Sequence, residues 1–509
     1  MKHLIKYLMI SLTISLPILF VSCGDEDDDP GLPPAPTLNF DAGNSASLER
    51  GQSVDISVSF NALSGIASLT VNGTDLQVTP GEESGTVTYT YTSADDAEFE
   101  DVELLFELTD QDERTVSSVF TVTIVGSTIM ITDDITEDAL WEAENIYMLT
   151  GDTEVDDGAT LTIEPGTNIY MQFASPDSLY RFTIEPGATL IAEGTASDPI
   201  VFSSERALDG TAEAGDWMGL RINGQEGVSS GSLRYVRIEY GGHIGEGEAA
   251  LRLEDVGVGT TIDYIQIYRS VFFGIDVRGG TFDMSHVIIS ESMDLPIEFD
   301  NGDTDYTGKI QYFLINSSEG LHADFDLVAR DDADVTIANM TMLGASADAV
   351  NEDGDDNLDQ SAIRLRDDTK RFRVFNSLIA EYAEDGLRLD ATQDNIDEFV
   401  TDLDGDFVLA YSYLFRIGDD LTRDDSDPSS VDLPFATDAS TWFNTLSPDD
   451  TPAEAAGIGV NSFIPDASIP SDFDPSTLDA FFESANFVGA FGSEDWTTGW
   501  ALNSDGTVR

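Results

Sequence analysis

Short runs of alternating apolar and polar residues fill the segment 37–126. In one of these runs Val54, Ile56, Val58 and Phe60 alternate with polar residues, and turn-rich stretches separate the run from its neighbours. Alternation with a period of two predicts strands that bury one face. About seven such strands within roughly 90 residues predict a β-sandwich. The sequence of this segment shows no cluster of chemically reactive side chains, so we expect it to be a spacer.

From residue 129 onward, short apolar strands recur at a longer spacing. Leu251-Arg252-Leu253 is repeated as Ile275-Asp276-Val277 after 24 residues and as Ile297-Glu298-Phe299 after 22 more. A period of roughly 20–30 residues with two or three strands per turn is typical of a right-handed parallel β-helix, because each coil buries its inward side chains by stacking on its neighbours. The sequence therefore predicts an all-β chain with such a solenoid over residues 129–509.

Two local patterns extend this prediction. Ile163-Glu164-Pro165-Gly166 recurs as Ile184-Glu185-Pro186-Gly187, and the triplet Ile363-Arg364-Leu365 precedes a further strand predicted at Phe375-Asn376-Ser377-Leu378. The alternative is a large antiparallel sandwich or a propeller, which would need a tight-turn signal between most neighbouring strands. The sequence after residue 129 holds only two Asn-Gly pairs that could supply one. This scarcity favours the parallel β-helix.

The charge balance narrows the range of partners. The chain has 97 acidic and 23 basic side chains and a formal net charge of −74. A nucleic acid partner is excluded, because its phosphates are held by clusters of Lys and Arg. Such an acidic surface is tolerated where salt screens it or where divalent cations bind, so we expect either a saline habitat or bound calcium. The single Cys excludes an intramolecular disulfide, a Cys-based zinc site and an iron–sulfur cluster.

The N-terminus indicates where the protein is located. Residues 1–22 combine two lysines with an apolar stretch too short to span a membrane, which predicts a signal peptide. The stretch runs into Phe20-Val21-Ser22-Cys23, which resembles the processing box of bacterial lipoproteins and implies that Cys23 becomes the lipid-bearing first residue. Acidic and Pro-rich residues at 23–36 predict an extended tether. The acidic run resembles the surface-export signal of Bacteroidetes lipoproteins, which implies the outer face of the outer membrane.

Longer motifs carry a family resemblance. Asp216-Trp217-Met218-Gly219-Leu220, Ile238-Glu239-Tyr240-Gly241-Gly242 and the tail motif Asp495-Trp496-Thr497-Thr498-Gly499-Trp500 resemble the pectin-lyase-like β-helix lipoproteins of Bacteroidetes. The similarity covers about residues 140–500 and implies a fold and a location rather than a reaction. The run from Phe106 to Val125 resembles the last two strands of bacterial Ig-like domains, which implies an Ig-like spacer.

The sequence departs from the family pattern where a ligand role would lie. In the family that this chain resembles, two coils carry pairs of acidic residues. This chain has Phe272-Phe273-Gly274 and Met293-Asp294-Leu295 at those positions. His243 lies in a Gly-rich loop, and the sequence lacks the catalytic motifs of polygalacturonases. A lone loop histidine is most often an ordinary surface residue, so we expect no catalytic residue at these positions.

Acidic loops are the candidates for metal binding. Asp353, Asp355, Asn357 and Asp359 place oxygen ligands at alternate positions, a pattern that can wrap a Ca²⁺ ion. The run Asp402 to Asp406 is a shorter candidate of the same kind. The alternative for each is a solvated acidic loop without a metal.

Trp496 and Trp500 lie four residues apart in a Gly-rich tail. We expect them to cap an open end of the solenoid rather than to form a sugar platform, because the end of a solenoid must be covered. The tail therefore belongs to the solenoid as a capping segment.

These observations predict a lipid-anchored cell-surface β-helix protein that is not a catalyst and presents a long face to a glycan or protein partner. One alternative is a polysaccharide lyase or glycoside hydrolase acting on extracellular polysaccharide. Three clustered carboxylates, or a basic residue beside a carboxylate, in a groove along one sheet face would favour that alternative. A purely structural or adhesive role is the third possibility.

Overall fold

The structure is a computed structural model that describes residues 33–94, 97, 100–176, 178–317, 326–346, 361–366, 369–389, 405–418, 422–424, 455, 457–459 and 462–509. The chain divides into two compact units, Met1–Ile124 and Val125–Arg509. The described residues form strands and two short 3-10 turns and contain no α-helix. No helix in this described part is long and apolar enough to cross a membrane.

The first unit consists of two antiparallel sheets. Within its described residues, one sheet has the strand order β1-β3-β6 and the other has the order β2-β8-β7-β4-β5. The strands are β1 (Thr37–Phe40), β2 (Ser45–Glu49), β3 (Ser53–Asn61), β4 (Ile66–Val71), β5 (Thr74–Asp75), β6 (Ser84–Thr92), β7 (Asp101–Asp110) and β8 (Thr115–Val125).

The alternating pattern sets which face of these strands is buried. Ile56, Val58 and Phe60 of β3 are at most 5% exposed, whereas the residues between them are not buried. They share one apolar core with alternate residues of β7 and β8, among them Phe106 and Val122. The predicted period of two is therefore the pattern that packs the two sheets together.

The second unit is mainly a stack of parallel strands, and its last two short strands pair with each other antiparallel in a separate sheet. Its strands are β9 (Thr128–Ile131), β10 (Ala139–Trp141), β11 (Ile146–Leu149), β12 (Thr153–Val155), β13 (Thr160–Ile163), β14 (Asn168–Met171), β15 (Arg181–Ile184), β16 (Thr189–Glu193), β17 (Ile200–Ser204), β18 (Gly219–Asn223), β19 (Gly231–Glu239), β20 (Leu251–Val256), β21 (Thr261–Tyr268), β22 (Ile275–Thr281), β23 (Met284–Ser290), β24 (Ile297–Asp300), β25 (Tyr306–Asn316), β26 (Leu327–Ala329), β27 (Asp334–Leu343), β28 (Ile363–Leu365), β29 (Arg371–Phe375), β30 (Leu378–Tyr382), β31 (Leu387–Leu389), β32 (Phe407–Ala410), β33 (Tyr413–Ile417), β34 (Thr422–Asp424), β35 (Ile469–Pro470) and β36 (Phe487–Val488).

Pairing between coils arranges the described strands into three parallel ladders. Ladder one contains β12, β15, β18, β20, β22, β24, β26, β28, β31 and β34. Ladder two begins at β10, β13 and β16, and ladder three begins at β9, β11, β14 and β17. Strands β19, β21, β23, β25 and β27 are long enough to contribute to both ladders two and three. This arrangement confirms the predicted parallel β-helix.

The triplet register was predicted correctly. Leu251 is the Cα partner of Ile275, and Ile275 is the Cα partner of Ile297. The next coil pairs through Leu327, which the pattern missed, before the predicted triplet at Ile363 follows. Inward residues of this kind form one continuous core along the solenoid. A sequence that repeats its apolar triplets therefore fixes the stacking directly.

One detail of the sequence prediction was wrong, and one repeat differs from the stacked triplets. The two Ile-Glu-Pro-Gly motifs do not stack on each other, because Ile184 pairs with Val155 and Ile163 pairs with Ala192. The first copy of the motif therefore follows a strand of ladder two, and the second copy follows a strand of ladder one. The strand predicted across residues 375–378 is also two strands, because β29 ends at Phe375 and β30 begins at Leu378. Asn376 turns the chain between them with a φ of 49°.

That turn is one member of a column of corner residues between ladders two and three. Each has a positive φ between 48° and 59°, which bends the chain from one ladder into the next without a loop. We call them the corner column: Tyr235, Tyr264, His286, Tyr312, Asn339, Asn376 and Tyr411. Asn adopts this left-handed conformation more readily than most residues, and the remaining members are held there by the pairing on both sides.

Gly219 shows why the family motif contains a glycine. Its φ is 107°, and a Cβ at this position would overlap the carbonyl oxygen of Ala249 in the next coil. Leu220 directly after it donates its N–H to the carbonyl of Ala250. Only glycine allows the two coils to approach at this point.

The described residues of 455–509, which we call the tail, lie along the side of the solenoid. They form an apolar cluster with outward-facing residues of ladder three, among them Ile288, Leu314 and Leu378. Tail contacts extend from Arg416, which donates to the carbonyl of Ile458 at 2.7 Å, to Arg237, which donates to the carbonyl of Trp500 at 2.8 Å. We expected this segment to cap an open end of the solenoid, but its described residues cover one flank instead.

Polar side chains fix the tail at defined points. Gln266 accepts from the N–H of Leu502 at 2.7 Å and donates to its carbonyl at 3.1 Å. Gln311 makes the same pair of bonds with Glu483, at 2.7 and 3.1 Å. Each glutamine therefore satisfies one backbone donor and one backbone acceptor of the tail, as a neighbouring strand would.

Candidate functional site

The outer face of ladder one carries a row of charged side chains. The middle residue of each apolar triplet points away from the core, and the register makes Arg221, Arg252, Asp276 and Glu298 partners in four successive coils. Arg278 and Asp300 pair two positions farther along the same strands. Since side chains alternate across a strand, these residues share the outer face. We call these residues and their ion-pair partners the arginine–carboxylate ladder: Arg221, Glu248, Arg252, Asp276, Arg278, Glu298, Asp300 and Arg330.

Short ion pairs connect the members of this ladder. Asp276 Oδ2 accepts from Arg252 Nε at 2.9 Å and from Arg278 Nε at 3.0 Å. Arg330 Nη2 donates to Asp300 Oδ2 at 2.6 Å, and its Nε lies 3.3 Å from Glu298 Oε1. The arrangement is a continuous network of positive and negative groups across at least four coils.

Glu248 extends the network toward the first coils. Its carboxylate accepts from Arg181 Nη2 at 2.6 Å and lies 3.4 Å from Arg221 Nη2 and 3.3 Å from Arg252 Nη1. Three guanidinium groups from successive coils thus meet at one carboxylate. This end of the ladder has an excess of positive charge.

The central carboxylates are almost inaccessible to water. Asp276 is fully buried, and Glu298 is 2% exposed. Burial raises the pKa of Glu298 to about 7, the Arg330 guanidinium opposes this rise, and the negative charges of Asp276 and Asp300 add to it. Glu298 is therefore a carboxyl group that changes protonation near neutral pH.

Two further features mark this part of the face. Burial lowers the pKa of Arg252, against the opposing charges of Asp276 and Glu248. Asp276 Oδ1 is buried and accepts no hydrogen bond within the described part of the chain. A buried carboxylate oxygen without a donor is costly, which makes this atom a position where a bound group would be stabilising.

The arginines of ladder one continue beyond the central cluster. Arg364 and Arg388 are partners in two successive coils at the same outer position, and Arg423 is the backbone partner of Arg388 in the coil after them. The chain has 23 basic residues, and seven of them are arginines on the strands of this one ladder. The arginines on strands of ladder one are Arg181, Arg221, Arg252, Arg278, Arg364, Arg388 and Arg423.

Sequence reasoning missed this ladder although its signal was present. The pattern Leu251-Arg252-Leu253 was interpreted by its apolar residues alone, while the charged residue between them recurs as Asp276, Glu298, Arg364 and Arg388. The register was needed to show that these side chains come from adjacent coils. The three carboxylates and their arginines are the arrangement that the sequence analysis associates with an enzyme.

Most predicted site residues lie outside the described part of the chain. Cys23 and the calcium candidates Asp353, Asp355, Asn357 and Asp359 are among them, as is the stretch from 402 to 404. Asp406 is described, and its Oδ1 accepts from Arg371 Nε at 2.9 Å. Among the described residues, no group of three or more His, Cys, Asp or Glu side chains is placed to hold a metal ion.

His243 lines a small cavity away from the ladder. The cavity has a volume of about 270 Å³ and is also lined by Arg206 and Asp216. Arg206 Nη1 donates to Asp216 Oδ1 at 2.7 Å, and His243 Nδ1 accepts from the N–H of Glu246 at 3.0 Å. These contacts give each group a structural partner. The cavity supports no reaction assignment.

The tryptophans have packing roles in the described part of the chain. Trp141 and Trp217 belong to the solenoid core. Trp500 of the tail is fully buried against Tyr235 and Tyr264 of the solenoid, and Trp496 Nε1 donates to the carbonyl of Ala490 at 2.9 Å. None of these four tryptophans presents a flat exposed ring, so they do not form a sugar platform.

A model of one protein family matches this chain. Its description is pectate-lyase like beta helix domain, and it matches residues 133–229 and 225–426, which together make up more than half of the sequence. No curated protein and no solved structure matches the chain. The matched region contains the arginine–carboxylate ladder.

Proposed function

The chain belongs to the pectate-lyase-like beta helix family, and from this premise we propose that it binds an anionic polysaccharide along ladder one, at the arginine–carboxylate ladder and at Arg364 and Arg388 beyond it. The observation that carries the proposal is the arginine row on one face of a chain whose net charge is −74. A guanidinium group binds carboxylates in a planar, two-bond geometry that an ammonium group does not match. The description of the family, which likens it to pectate lyase, is compatible with an anionic polymer.

The spacing of the arginines suits a repeating ligand. Adjacent strands of a sheet lie about 4.8 Å apart, so the six steps from Arg221 to Arg388 extend over roughly 29 Å. A polymer lying along the axis would meet a cation at intervals of a few coils. Ionic contacts spread over such a length favour a chain over a single sugar.

Binding can be measured by affinity electrophoresis of the purified protein in gels containing polygalacturonate or neutral dextran. We expect polygalacturonate to retard the protein and dextran to leave its mobility unchanged. Arg278→Gln with Arg388→Gln should reduce the retardation at least about tenfold in terms of dissociation constant, because each removes a charge-assisted contact. Arg234→Gln is the matched control, since Arg234 is half-exposed on ladder two. Equal retardation of all three proteins would refute the proposal.

A second function is favoured by one observation. Glu298 has a pKa raised to about 7 and lies beside Asp276 and Asp300, so it can hold a proton at neutral pH as a general acid must. Polysaccharide cleavage is therefore the rival to simple binding. Incubation with acidic and neutral polysaccharides, followed by assays for unsaturated and reducing ends, separates the two. Product that forms with the parent protein and not with Glu298→Gln would establish cleavage and overturn the non-catalytic function.

The cellular setting is also a proposal. We propose that lipid on Cys23 anchors the chain in the outer membrane, that residues 23–36 act as a tether, and that an Ig-like first unit is a spacer for a right-handed β-helix at the cell surface. The support is the apolar stretch that ends at the only Cys, together with the two antiparallel sheets and shared core of the first unit. A surface position would bring the ladder into contact with extracellular polysaccharide.

A further inference from the structure

A second cavity opens between the corner column and the tail, on the flank of the solenoid. Its volume is about 300 Å³, which is enough for a small organic molecule. Tyr264, His286 and Tyr312 line it from three successive coils, and Glu483, Glu494 and Trp496 line it from the tail. The cavity lies on ladder three, apart from the ladder that carries the proposed polysaccharide site.

The aromatic rings around this cavity already stack on one another. Tyr264 and His286 lie face to face with ring centroids 4.0 Å apart and planes 6° from parallel. Tyr312 is 4.7 Å from His286 on one side and 6.4 Å from Phe487 on the other. Trp496 stacks on Phe491 at 5.4 Å. Since these faces are largely occupied, the cavity offers little flat surface for a sugar ring.

The polar groups of the cavity are mainly hydrogen-bond acceptors. Glu483 and Glu494 are exposed carboxylates at its rim, and Tyr312 already donates its hydroxyl to Glu483 Oε2 at 3.3 Å. His286 Nδ1 lies 2.9 Å from Asp263 Oδ1 and 3.0 Å from Ser285 Oγ, and a carboxylate can only accept, so the proton is on Nδ1. In a neutral imidazole with this tautomer Nε2 is an acceptor, and both hydrogen bonds of the ring within the described residues are made by Nδ1.

The charge of the lining residues favours a ligand with a positive charge. Neither Lys nor Arg is among the residues that line the cavity, and the chain as a whole is strongly acidic. The two carboxylates would repel an anionic ligand, and a neutral ligand would gain no attraction from their charge. A ligand rich in donors and positively charged matches both the acceptors and the potential.

We propose that this cavity binds an aliphatic ammonium group, with Glu483 and Glu494 pairing with the cation and His286 Nε2 accepting one of its N–H bonds. An ammonium has three N–H donors and no acceptor, which suits a cavity lined by these three acceptors. The alkyl chain of the ligand packs along the edges of Tyr312 and Trp496. The site is independent of the arginine–carboxylate ladder and of any activity located there.

Isothermal titration of the purified protein with 1,4-diaminobutane tests the proposal. We expect saturable binding that weakens as salt is added, because the contacts are ionic and partly exposed. Glu483→Gln combined with Glu494→Gln should weaken binding at least about tenfold, since both charged acceptors are replaced. Glu226→Gln is the matched control, because Glu226 is an exposed carboxylate on another turn of the same unit. Its affinity should equal that of the parent protein.

Three results would overturn the assignment. One is the absence of saturable heat with the diamine. Another is equal weakening by Glu226→Gln, which would indicate that general acidity rather than this cavity attracts the cation. The third is tighter binding of galactose than of the diamine, which would identify a sugar site. Because the substituted residues are exposed, circular dichroism of all variants should match the parent protein.

Discussion

Tyr264 stacks on His286 with a centroid separation of 4.0 Å, although 22 positions of sequence separate them. Each is the corner residue of its coil, and the parallel register places equivalent positions of successive coils directly above one another. Tyr235 continues the stack at 4.3 Å from Tyr264. The corner column is therefore both a bend in each coil and a stacked support on which the tail packs.

Asn376 provides the sharpest test of how the tail is held. It is fully buried, and its Nδ2 donates to the carbonyls of Phe473 and Ala485 at 3.1 and 3.0 Å. We expect Asn376→Ala to destabilise the second unit by about 3 kcal/mol, because it leaves buried carbonyls unpaired and puts Ala in a left-handed conformation. Thermal unfolding measures the loss, and limited proteolysis should cleave the tail faster.

Asn376→Gly separates the two causes. Glycine tolerates the φ of 49° but lacks the amide, so its loss should be smaller than that of Ala while the tail remains protease-sensitive. Equal protease resistance of Asn376→Gly and the parent protein would show that the amide does not hold the tail.

Gly219 tests the close approach of two coils. We expect Gly219→Ala to lower the free energy of unfolding by about 2 kcal/mol or more, because the added Cβ meets the carbonyl oxygen of Ala249 and the backbone has a φ of 107°. Gly151→Ala is the control, since a Cβ there has open space around it. Chemical unfolding of both variants checks the difference. Similar midpoints for the two would contradict the steric argument.

The sequence predicted the parts of the fold that repeat. The triplets at 251, 275 and 297 have an inward apolar pair around one outward residue, so the spacing alone gives the strand, its face and its register. The first unit was similarly predictable, because Ile56, Val58 and Phe60 bury every second side chain. In both cases the period of the pattern equals the period of the structure.

Features that depend on contacts between distant segments could not be predicted. Trp500 in the tail is 0% exposed because its ring packs against Tyr235 and Tyr264 on the flank of the solenoid, more than 230 positions earlier in the sequence. The pairing of Arg252 with Asp276 likewise requires the register of two coils. A single sequence shows which residues are apolar, but it does not show which flank of a solenoid a later segment covers.

The lipid anchor makes a prediction about Cys23. In a bacterial expression host that acylates lipoproteins, the parent protein should fractionate with membranes and carry added lipid mass. Cys23→Ser should be found in the soluble fraction at the mass of the unlipidated chain, because several acyl chains are required for stable anchoring. Intact-mass spectrometry of both fractions measures this. Membrane association of the serine variant without lipid would contradict the anchor.

Calcium binding is a prediction for the segment that holds Asp353, Asp355, Asn357 and Asp359. If this segment binds the ion only in the folded chain, calcium raises the thermal midpoint by mass action and a chelator lowers it. Asp355→Asn with Asp359→Asn should remove the response, and Glu226→Gln should retain it. An unchanged midpoint on chelation would count against the ion.

Glu298 makes the stability of the second unit depend on pH in a defined direction. Its ordinary pKa is 4.5, and burial raises it to about 7 in the folded chain. Between these values the folded state holds a proton that the unfolded state has released. The free energy of unfolding contributed by this group is therefore full below the unfolded pKa and falls as pH rises toward 7.

Glu298→Gln removes this dependence, because the amide does not ionise. Relative to the parent protein, the variant should gain up to about 3 kcal/mol between pH about 5 and pH about 8, the amount that corresponds to the shift in pKa. Thermal midpoints of both proteins at the two pH values measure the gain, and Glu226→Gln corrects for the many exposed carboxylates. Arg330 contacts this carboxyl group, and Asp276 is its partner in the preceding coil. If the variant instead lost stability relative to the parent protein as the pH rises, the folded state would be stabilising the charged carboxylate. That result would also remove Glu298 as a proton donor near neutral pH and leave simple binding as the role of the ladder.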